Sequence, residues 1–240
     1  MKKKRLAVVV LLCVSGGAQA SLVGRDINGN AVAGGDASSV FLYDTMLNVT
    51  WLRDANANGS MNWTQANTWA ANLVVGAYDD WRLPTMISTP NTTFSYAGGT
   101  DYGFNVRTTS GSIVYSEMAS LWYDTLGNKS YYDTAGVGPQ PDWGLTNTGA
   151  FQNLQSNFYW SDLADAPGTR QAWFFNTGPG SQGLYDTTGS LYALAVRPGD
   201  VLVTSSGTPS AVPIPAAAWL MASGLGALGV AARKRRAKAA

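Results

Sequence analysis

An alternating run of oxygen-bearing side chains is the clearest chemical motif in the sequence. Asp54, Asn56 and Asn58 are spaced two residues apart and are followed by Gly59, which matches the first half of a calcium-binding loop. The bidentate glutamate that closes such a loop is missing, because Gln65 stands at its position. The alternative is an Asn/Asp/Gly turn that needs no metal. Asp54, Asn56 and Asn58 are therefore candidate calcium ligands, and no other cofactor is expected.

Paired carboxylates are the second candidate for chemistry. Glu117, the only glutamate in the chain, could in principle work with an aspartate such as Asp162 in glycoside hydrolysis. It also follows Ser116 at a predicted helix start, where an acidic side chain stabilises the helix dipole. The chain has no histidine, and its one cysteine, Cys13, lies in a segment expected to be removed. Zinc sites, cysteine nucleophiles and Ser-His-Asp triads are thereby excluded, and we expect a protein that is not an enzyme.

Hydrophobic periodicity predicts an α+β fold, with two helices and a mostly antiparallel sheet. Short strands bounded by Gly, Asn and Pro are predicted at residues 40–43, 49–52, 158–160, 172–175 and 192–196. The first two are expected to form a hairpin. The last three are expected to form an antiparallel meander.

The two predicted helices begin at polar caps. Asn62 can cap the first helix, and Gln65 can return the hydrogen bond from three residues further on. The second helix is expected to begin at Ser116. Residues 86–115 and 128–150 are rich in Gly, Thr, Ser and Asn, so both are predicted to be long surface loops, the first of them an insertion.

The N-terminal residues have the composition of a secretory signal. Residues 1–20 combine a basic start, a short apolar run and a small-x-small ending at Ala18 and Ala20. We expect cleavage before Ser21 and export through the inner membrane.

The C-terminal residues predict a membrane anchor. Residues 216–232 carry no charge, and the basic tail at residues 233–240 follows directly, which is typical of a membrane-spanning helix whose tail stays in the cytoplasm. A core or amphipathic helix is the alternative, but it would need a polar face that this run lacks. The predicted organisation is a signal peptide at 1–20, a loose lead-in at 21–38, one domain at 39–200, a Ser/Pro linker at 201–215, the anchor helix at 216–232 and the tail at 233–240.

The charge is unevenly distributed between these segments. Nine of the 16 basic residues lie in the two end segments, whereas all 15 acidic residues lie between them, so the central part has seven basic residues and a net charge of −8. An acidic surface disfavours nucleic acid and other anionic polymers as partners. It suits uncharged ligands or divalent cations.

Several aromatic motifs follow one another across residues 40–200. They are built around Trp81, Arg82, Leu83, Pro84, Tyr159, Trp160 and Trp173. In this order they resemble the Lcl C-terminal-type domain, which implies a C-type-lectin-like fold related to the formylglycine-generating enzymes. That enzyme chemistry needs cysteines, so the resemblance does not carry activity over. From the residues alone, Trp81 is expected to pack in the core, with Arg82 paired to a carboxylate or stacked on a ring.

A second resemblance involves the C-terminal segment. Its residues are Val212, Pro213, Pro215, Trp219, Arg233, Lys234, Arg235 and Arg236. They resemble a PEP-CTERM sorting signal in which Pro-Ile-Pro replaces Pro-Glu-Pro. The resemblance implies processing by an exosortase-type enzyme in a Gram-negative bacterium that makes exopolysaccharide, and transfer to the cell surface or biofilm matrix.

Aromatic side chains suggest the ligand. A sugar-stacking surface could be drawn from Trp122, Tyr123, Tyr131, Tyr132, Trp143, Tyr159 and Trp160, of which about half are expected to be buried, because large aromatic residues commonly fill cores. The sequence thus predicts an exported binding or adhesion module, with exopolysaccharide or another glycan as the candidate ligand. An exopolysaccharide hydrolase and a purely structural surface protein are the alternatives.

Overall fold

The computed structural model describes residues 21–87, 94–96, 102–104, 109–110, 113–133 and 135–202. The chain divides into two units after Leu202. The expected signal peptide, most of the linker, the anchor helix, the sorting signal and the basic tail lie outside the described residues. Within the described ranges, none of the helices has the length and apolar character needed to cross a membrane.

Fourteen short strands lie within the described residues. Numbered in chain order, they are β1 Leu22–Arg25, β2 Ala31–Val32, β3 Phe41–Asp44, β4 Val49–Leu52, β5 Ser60–Met61, β6 Phe94–Tyr96, β7 Tyr102–Phe104, β8 Thr109–Ser110, β9 Ile113–Val114, β10 Phe158–Ala164, β11 Gln171–Asn176, β12 Ser181–Asp186, β13 Leu191–Tyr192 and β14 Val196–Pro198. With the helices described below, they confirm the predicted α+β class.

A five-stranded antiparallel sheet has the order β14-β4-β3-β1-β2. The predicted hairpin is confirmed, since β3 pairs with β4 and Phe41 lies opposite Leu52. The expectation of a loose lead-in is wrong for β1, which pairs along its whole length with β3. The Gly and Asp residues of this segment favoured a loop in the sequence pattern, and β1 itself has few apolar residues. Its partner strand also lies about 20 positions away, so no local pattern indicates the pairing.

A seven-stranded sheet has the order β5-β13-β10-β11-β12-β7-β6. Its pairs are antiparallel except for β10 with β13 and β12 with β7. The single strand predicted at residues 192–196 is in fact two strands in different sheets, because β13 ends at Tyr192 and β14 begins at Val196. The expected antiparallel meander is therefore wrong at its third strand, since β13 pairs in parallel with β10. Strand β12 was not predicted. Strands β6 to β9 lie in the predicted insertion at 86–115, of which the remaining parts are largely outside the described residues.

Helix α1 spans Trp63–Ala71 and begins as predicted. The Asn62 side chain accepts a hydrogen bond from the backbone N–H of Gln65 at 2.9 Å, and the Gln65 side chain accepts one from the backbone N–H of Asn62 at 3.1 Å. This reciprocal pair satisfies two donors that the helix itself leaves unpaired.

Helix α2 spans Glu117–Ala119 and continues as a π-helical turn over Ser120–Thr125. The Ser116 hydroxyl caps it by accepting a hydrogen bond from Ala119 N–H at 3.1 Å, which confirms the predicted start. The following residues Leu121 and Trp122 are buried.

The two helices cover opposite faces of the seven-stranded sheet. Successive side chains of a strand point to opposite faces, and Tyr159 and Trp160 of β10 do so: Tyr159 packs with Trp122 in one core cluster, and Trp160 packs with Ala66 of α1 in another. The first cluster also contains Trp51 of the five-stranded sheet. The core therefore joins both sheets and both helices.

Candidate functional site

The segment that begins at Trp81 lies where the sheets meet. Trp81 is only 3% exposed and stacks on Phe41, with ring centroids 5.6 Å apart. Its indole Nε1 donates to the Tyr78 carbonyl at 3.1 Å. Leu83 and Pro84 are also buried. The predicted core role of this motif is confirmed.

Arg82 pairs with Glu117 through two parallel hydrogen bonds. Nη1 donates to Oε2 at 2.7 Å and Nη2 donates to Oε1 at 2.8 Å. The backbone N–H of Thr85 also donates to Glu117 Oε2, at 2.7 Å. The expected carboxylate partner of Arg82 is thus found, and both oxygens of Glu117 are occupied by the protein itself. Such forked arginine–carboxylate pairs are among the stronger polar interactions in proteins.

Asp162 lies beside this ion pair. Its backbone N–H donates to the Pro84 carbonyl at 3.0 Å, and its Oδ1 accepts from Met86 N–H at 3.3 Å. Desolvation raises the pKa of Asp162 to about 6, and the Glu117 charge adds to the rise, while Met86 N–H and the Arg82 charge lower it. More than a third of the residue nevertheless remains exposed, so water solvates part of the carboxylate and weakens the effect.

The structure therefore brings together the two carboxylates considered for hydrolysis, but in unequal roles. Glu117 would have to break its bonds to Arg82 and Thr85 before it could transfer a proton to a substrate. This geometry favours a structural role for Glu117. Asp162 keeps an exposed carboxylate, and partial burial raises its pKa.

The residues of the calcium half-motif form a turn that is closed by hydrogen bonds. Asp54 Oδ1 accepts from the backbone N–H of Asn56 and from Nδ2 of Asn153, both at 3.0 Å. Gly59 has a φ of 68°, which glycine adopts at little cost. Asn56 Oδ1 is buried and accepts no hydrogen bond from the described residues. The Asn58 side-chain amide lies 4.0 Å from the Met61 sulfur.

No group of three or more acidic, histidine or cysteine side chains capable of holding a metal is present among the described residues. The turn holds its shape through the Asp54 hydrogen bonds. Asp54, Asn56 and Asn58 therefore remain candidate calcium ligands, to be tested by the effect of calcium on stability.

The candidate aromatic residues divide into a buried and a surface group. Trp122, Tyr123, Tyr159 and Trp160 are all in the core. Trp160 donates from Nε1 to the Met61 carbonyl at 2.9 Å. Burial raises the pKa of Tyr159 to about 12. Trp173, the last aromatic residue of the motifs that resemble the Lcl C-terminal-type domain, is also buried. The expectation that about half of the set is buried is confirmed.

The three other aromatic residues meet in one surface loop. Tyr131 lies 4.7 Å from Tyr132 and 4.7 Å from Trp143 between ring centroids, in edge-to-face contacts with both. Trp143 is 40% exposed, while Tyr131 and Tyr132 are partly exposed. We refer to Tyr131, Tyr132 and Trp143 as the loop platform. Its two tyrosine rings and one tryptophan ring are each at least partly exposed to solvent.

Hydrogen bonds hold the loop platform in place. The Gln140 side-chain amide donates to the carbonyls of Ser130 at 2.9 Å and Tyr132 at 2.7 Å. The Tyr131 backbone donates to the Pro179 carbonyl at 3.2 Å, which fixes the loop to the turn between β11 and β12. A Cβ at Gly138 would lie 2.7 Å from the Tyr131 carbonyl, so only glycine fits there.

A second set of bonds closes the base of the loop. Asn128 Oδ1 accepts from the backbone N–H groups of Thr146 at 3.1 Å and Asn147 at 2.8 Å. Sequence reasoning missed Asn128 and Gln140, and no local pattern marks them, because their bonds join residues 8 to 19 positions apart.

These features define an α+β domain with a largely buried charge pair at the junction of its sheets and a hydrogen-bonded aromatic loop at its surface. The family model for the Lcl C-terminal domain matches residues 41–197. The chain belongs to that family, as its motifs had indicated. No match was found among curated proteins or among solved structures.

Proposed function

We propose that this protein is an exported, non-catalytic binding module that attaches to glycan at the cell surface or in the extracellular matrix. The observation that carries the proposal is the loop platform, in which Trp143 is 40% exposed and packs against Tyr131. An exposed aromatic face offers apolar area to a sugar ring, and polar groups beside it can orient the ligand. Asp142 and Pro141 next to Trp143 are exposed.

The hydrogen bonds within the loop support a preformed binding site for the exposed aromatic rings. The Gln140 and Asn128 hydrogen bonds fix the backbone on both sides of the rings. A preformed site loses less conformational entropy when a ligand binds. The net charge of −8 over the central part favours an uncharged glycan over nucleic acid or an anionic polymer.

The proposal also specifies the fold of the domain and the route by which the protein is exported and sorted. The fold is C-type-lectin-like, followed by a separate hydrophobic helix at residues 216–232, which the family resemblance and the uncharged C-terminal run support. Export begins with the signal peptide at 1–20. An exosortase-type enzyme then recognises the sorting signal from Val212 to Arg236 while the helix anchors the protein in the membrane. The product reaches the cell surface or the matrix.

Export and sorting are tested on the full chain with an epitope tag placed after Ser21. We expect a mature N-terminus at Ser21 and a tagged product outside the cell in a bacterium that has an exosortase. A variant in which Pro213 and Pro215 are both replaced by alanine should stay in the inner membrane. Unchanged release of this variant would contradict the sorting proposal and leave glycan binding untouched.

Glycan binding is tested by exposing the exported protein to a glycan array and to exopolysaccharide, with and without calcium. Trp143→Ala should weaken binding about tenfold, because one stacked ring contributes about 1 kcal/mol beyond its buried area. Val74→Ala is the matched control, since Val74 is a 66% exposed apolar residue in a different region. No binding under any condition would contradict the proposal and favour a purely structural surface protein.

A glycan hydrolase is the second candidate, and the Asp162 carboxyl is the observation that favours it. A carboxyl with a pKa raised to about 6 suits a general acid near neutral pH. Release of reducing ends from exopolysaccharide, lost in Asp162→Asn but kept in Trp143→Ala, would establish this function in place of the binding module.

A further inference from the structure

A second group of aromatic rings lies on the seven-stranded sheet, away from the loop platform. Phe158 of β10, Phe174 of β11 and Tyr185 of β12 stand on three adjacent strands. Phe158 is 4.7 Å from Phe174 and 6.4 Å from Tyr185, and Phe174 is 6.3 Å from Tyr185, between ring centroids. We refer to these three residues as the sheet shelf.

Helix α1 covers only part of the sheet face that carries the shelf. Its buried residues Ala66 and Ala70 pack with Trp160 and Ala172. The shelf residues Phe158 and Phe174 stay partly exposed, and Tyr185 is 43% exposed. The aromatic surface thus continues from a covered core into solvent, and contiguous exposed apolar surface of this kind is where ligands commonly bind.

Two glycines let the shelf rings lie close to the backbone. A Cβ at Gly183 would come within 3.0 Å of Phe174 Cζ, and a Cβ at Gly189 would come within 2.3 Å of Tyr185 Cε1. The tip of the Phe174 ring and one edge of the Tyr185 ring therefore lie against glycines. Tyr185 also lies 6.3 Å from Trp160 between ring centroids, and its 43% exposure leaves part of the ring available for a ligand to stack on.

The shelf and the loop platform are separate sites. The loop is bonded to Pro179, in the turn before β12, whereas Tyr185 lies near the far end of β12. Six residues of extended chain span about 20 Å at ~3.3 Å per residue. One sugar ring cannot contact both sites, but a polysaccharide strand can reach each of them.

The charges beside the shelf point to an uncharged ligand. Asp186 follows Tyr185 in the sequence and forms an exposed ion pair of 3.4 Å with Arg170, the residue before β11. Hydrogen bonds from the Thr188 hydroxyl and backbone lower the pKa of Asp186, so this carboxylate stays ionised at neutral pH. The backbone of Asp165 is hydrogen-bonded to Gln171, which pairs with Asp186. The side chains of Arg170, Asp165 and Asp186 therefore leave one net negative charge, which disfavours an anionic polymer.

We propose that the sheet shelf is a second stacking site for an uncharged polysaccharide, so that one domain binds glycan at two places and joins two polysaccharide segments. The inference rests on the proposed function and adds the second site and the bivalence. Two weak sites on one rigid body give a higher overall affinity for a polymer than for a short oligosaccharide.

The test is calorimetric titration of the exported protein with uncharged hexasaccharides of glucose, xylose, mannose and galactose. We expect about two molecules bound per chain, and about one in either Trp143→Ala or Tyr185→Ala. Tyr185→Phe keeps the ring and should keep both sites, which separates loss of stacking from loss of folding. Thermal unfolding of each variant checks that the fold is intact.

The outcomes distinguish the two proposals. One molecule bound per chain, with all binding lost in Trp143→Ala and none in Tyr185→Ala, would overturn the second site and leave the proposed function standing. Absence of binding to every hexasaccharide would overturn both. Light scattering of uncharged polysaccharide gives a further readout, because only a bivalent domain should increase it, and each single variant should abolish the increase.

Discussion

Arg82 and Glu117, 35 positions apart in the sequence, are joined by two hydrogen bonds of 2.7 and 2.8 Å. The backbone of Arg82 exchanges hydrogen bonds with Val196 of the five-stranded sheet, each 2.9 Å long. Two residues on, the Pro84 carbonyl accepts from Asp162 of the seven-stranded sheet. The ion pair therefore fixes helix α2 to a segment that contacts both sheets.

Replacing Glu117 by glutamine should lower the free energy of unfolding by about 2–3 kcal/mol. Loss of one partner leaves a largely buried charge uncompensated, and the remaining exposure of the Arg82 side chain, 32%, keeps the loss below that of a fully buried pair. Urea unfolding followed by tryptophan fluorescence measures the change.

Arg170→Gln is the control for the loss of an ion pair. Arg170 and Asp186 are 73% and 50% exposed at 3.4 Å, so this variant should lose less than about 0.5 kcal/mol. The free energy of unfolding that Arg82→Lys loses should lie between the losses of Glu117→Gln and Arg170→Gln, because lysine cannot form the forked pair. Equal stability of Glu117→Gln and Arg170→Gln would contradict the structural role of the pair.

Asp162 should make the stability of the domain depend on pH. Its pKa is raised from an ordinary 3.8 to about 6, so between these values the native state holds a proton that the unfolded state has released. The free energy of unfolding should thus fall as the pH rises from about 4 to about 6. The effect should stay well below ~1.4 kcal/mol per pKa unit, because the residue is partly exposed.

Asp162→Asn should remove this dependence, since an amide does not titrate while its oxygen can still accept from Met86. Unfolding is measured across the pH range for wild type and variant, and the ion pair of Arg82 with Glu117 is left intact. Asp186→Asn is a control of opposite sign, because the pKa of Asp186 is lowered by its hydrogen bonds to Thr188. A wild-type slope that survives in Asp162→Asn would show that another group titrates.

Local signals in the sequence were sufficient for the parts of the fold that depend on neighbouring residues. The capping pair Asn62 and Gln65 are three residues apart, and the hairpin of β3 and β4 is closed by a short turn. Ser116 also acts within its own helix. Such contacts are visible in a linear pattern because helix and hairpin geometry fix their spacing.

Contacts between distant residues could not be predicted in the same way. The identity of the Arg82 partner, the strand pairing of β1 and the sheet shelf all depend on which strands become neighbours. Tyr185 gave no sign of its role, because β12 has two exposed residues at its end and a glycine in its middle. The sequence therefore predicted which residues could form the candidate site, but it did not predict how these residues are arranged in space.

Asn62→Ala should lower the free energy of unfolding by about 1 kcal/mol, the usual cost of losing an N-cap side chain. The variant leaves the Gln65 backbone N–H without its acceptor at 2.9 Å. Thr68→Ala is a suitable control, since Thr68 is exposed within α1 and alanine favours helix. Equal destabilisation by both variants would show that α1 is not held by its cap.

Calcium should leave the thermal unfolding temperature of the exported protein unchanged. The Asp54 oxygen already accepts two hydrogen bonds of 3.0 Å, and Gln65 stands where a calcium loop needs a bidentate glutamate. Unfolding is compared in a chelator and in millimolar calcium. Asp54→Ala should lower stability by about 1 kcal/mol in both, as for the loss of a polar turn contact.

Asp26→Ala is the matched control for this experiment, because Asp26 Oδ1 also closes a turn, accepting from Asn28 at 2.9 Å and Asn30 at 2.8 Å. The opposite result has a clear structural meaning. The buried Asn56 Oδ1 accepts no hydrogen bond from the described residues, and a cation could satisfy it. A calcium-dependent rise in the unfolding temperature that is lost in Asp54→Ala and kept in Asp26→Ala would therefore establish a calcium site at this turn.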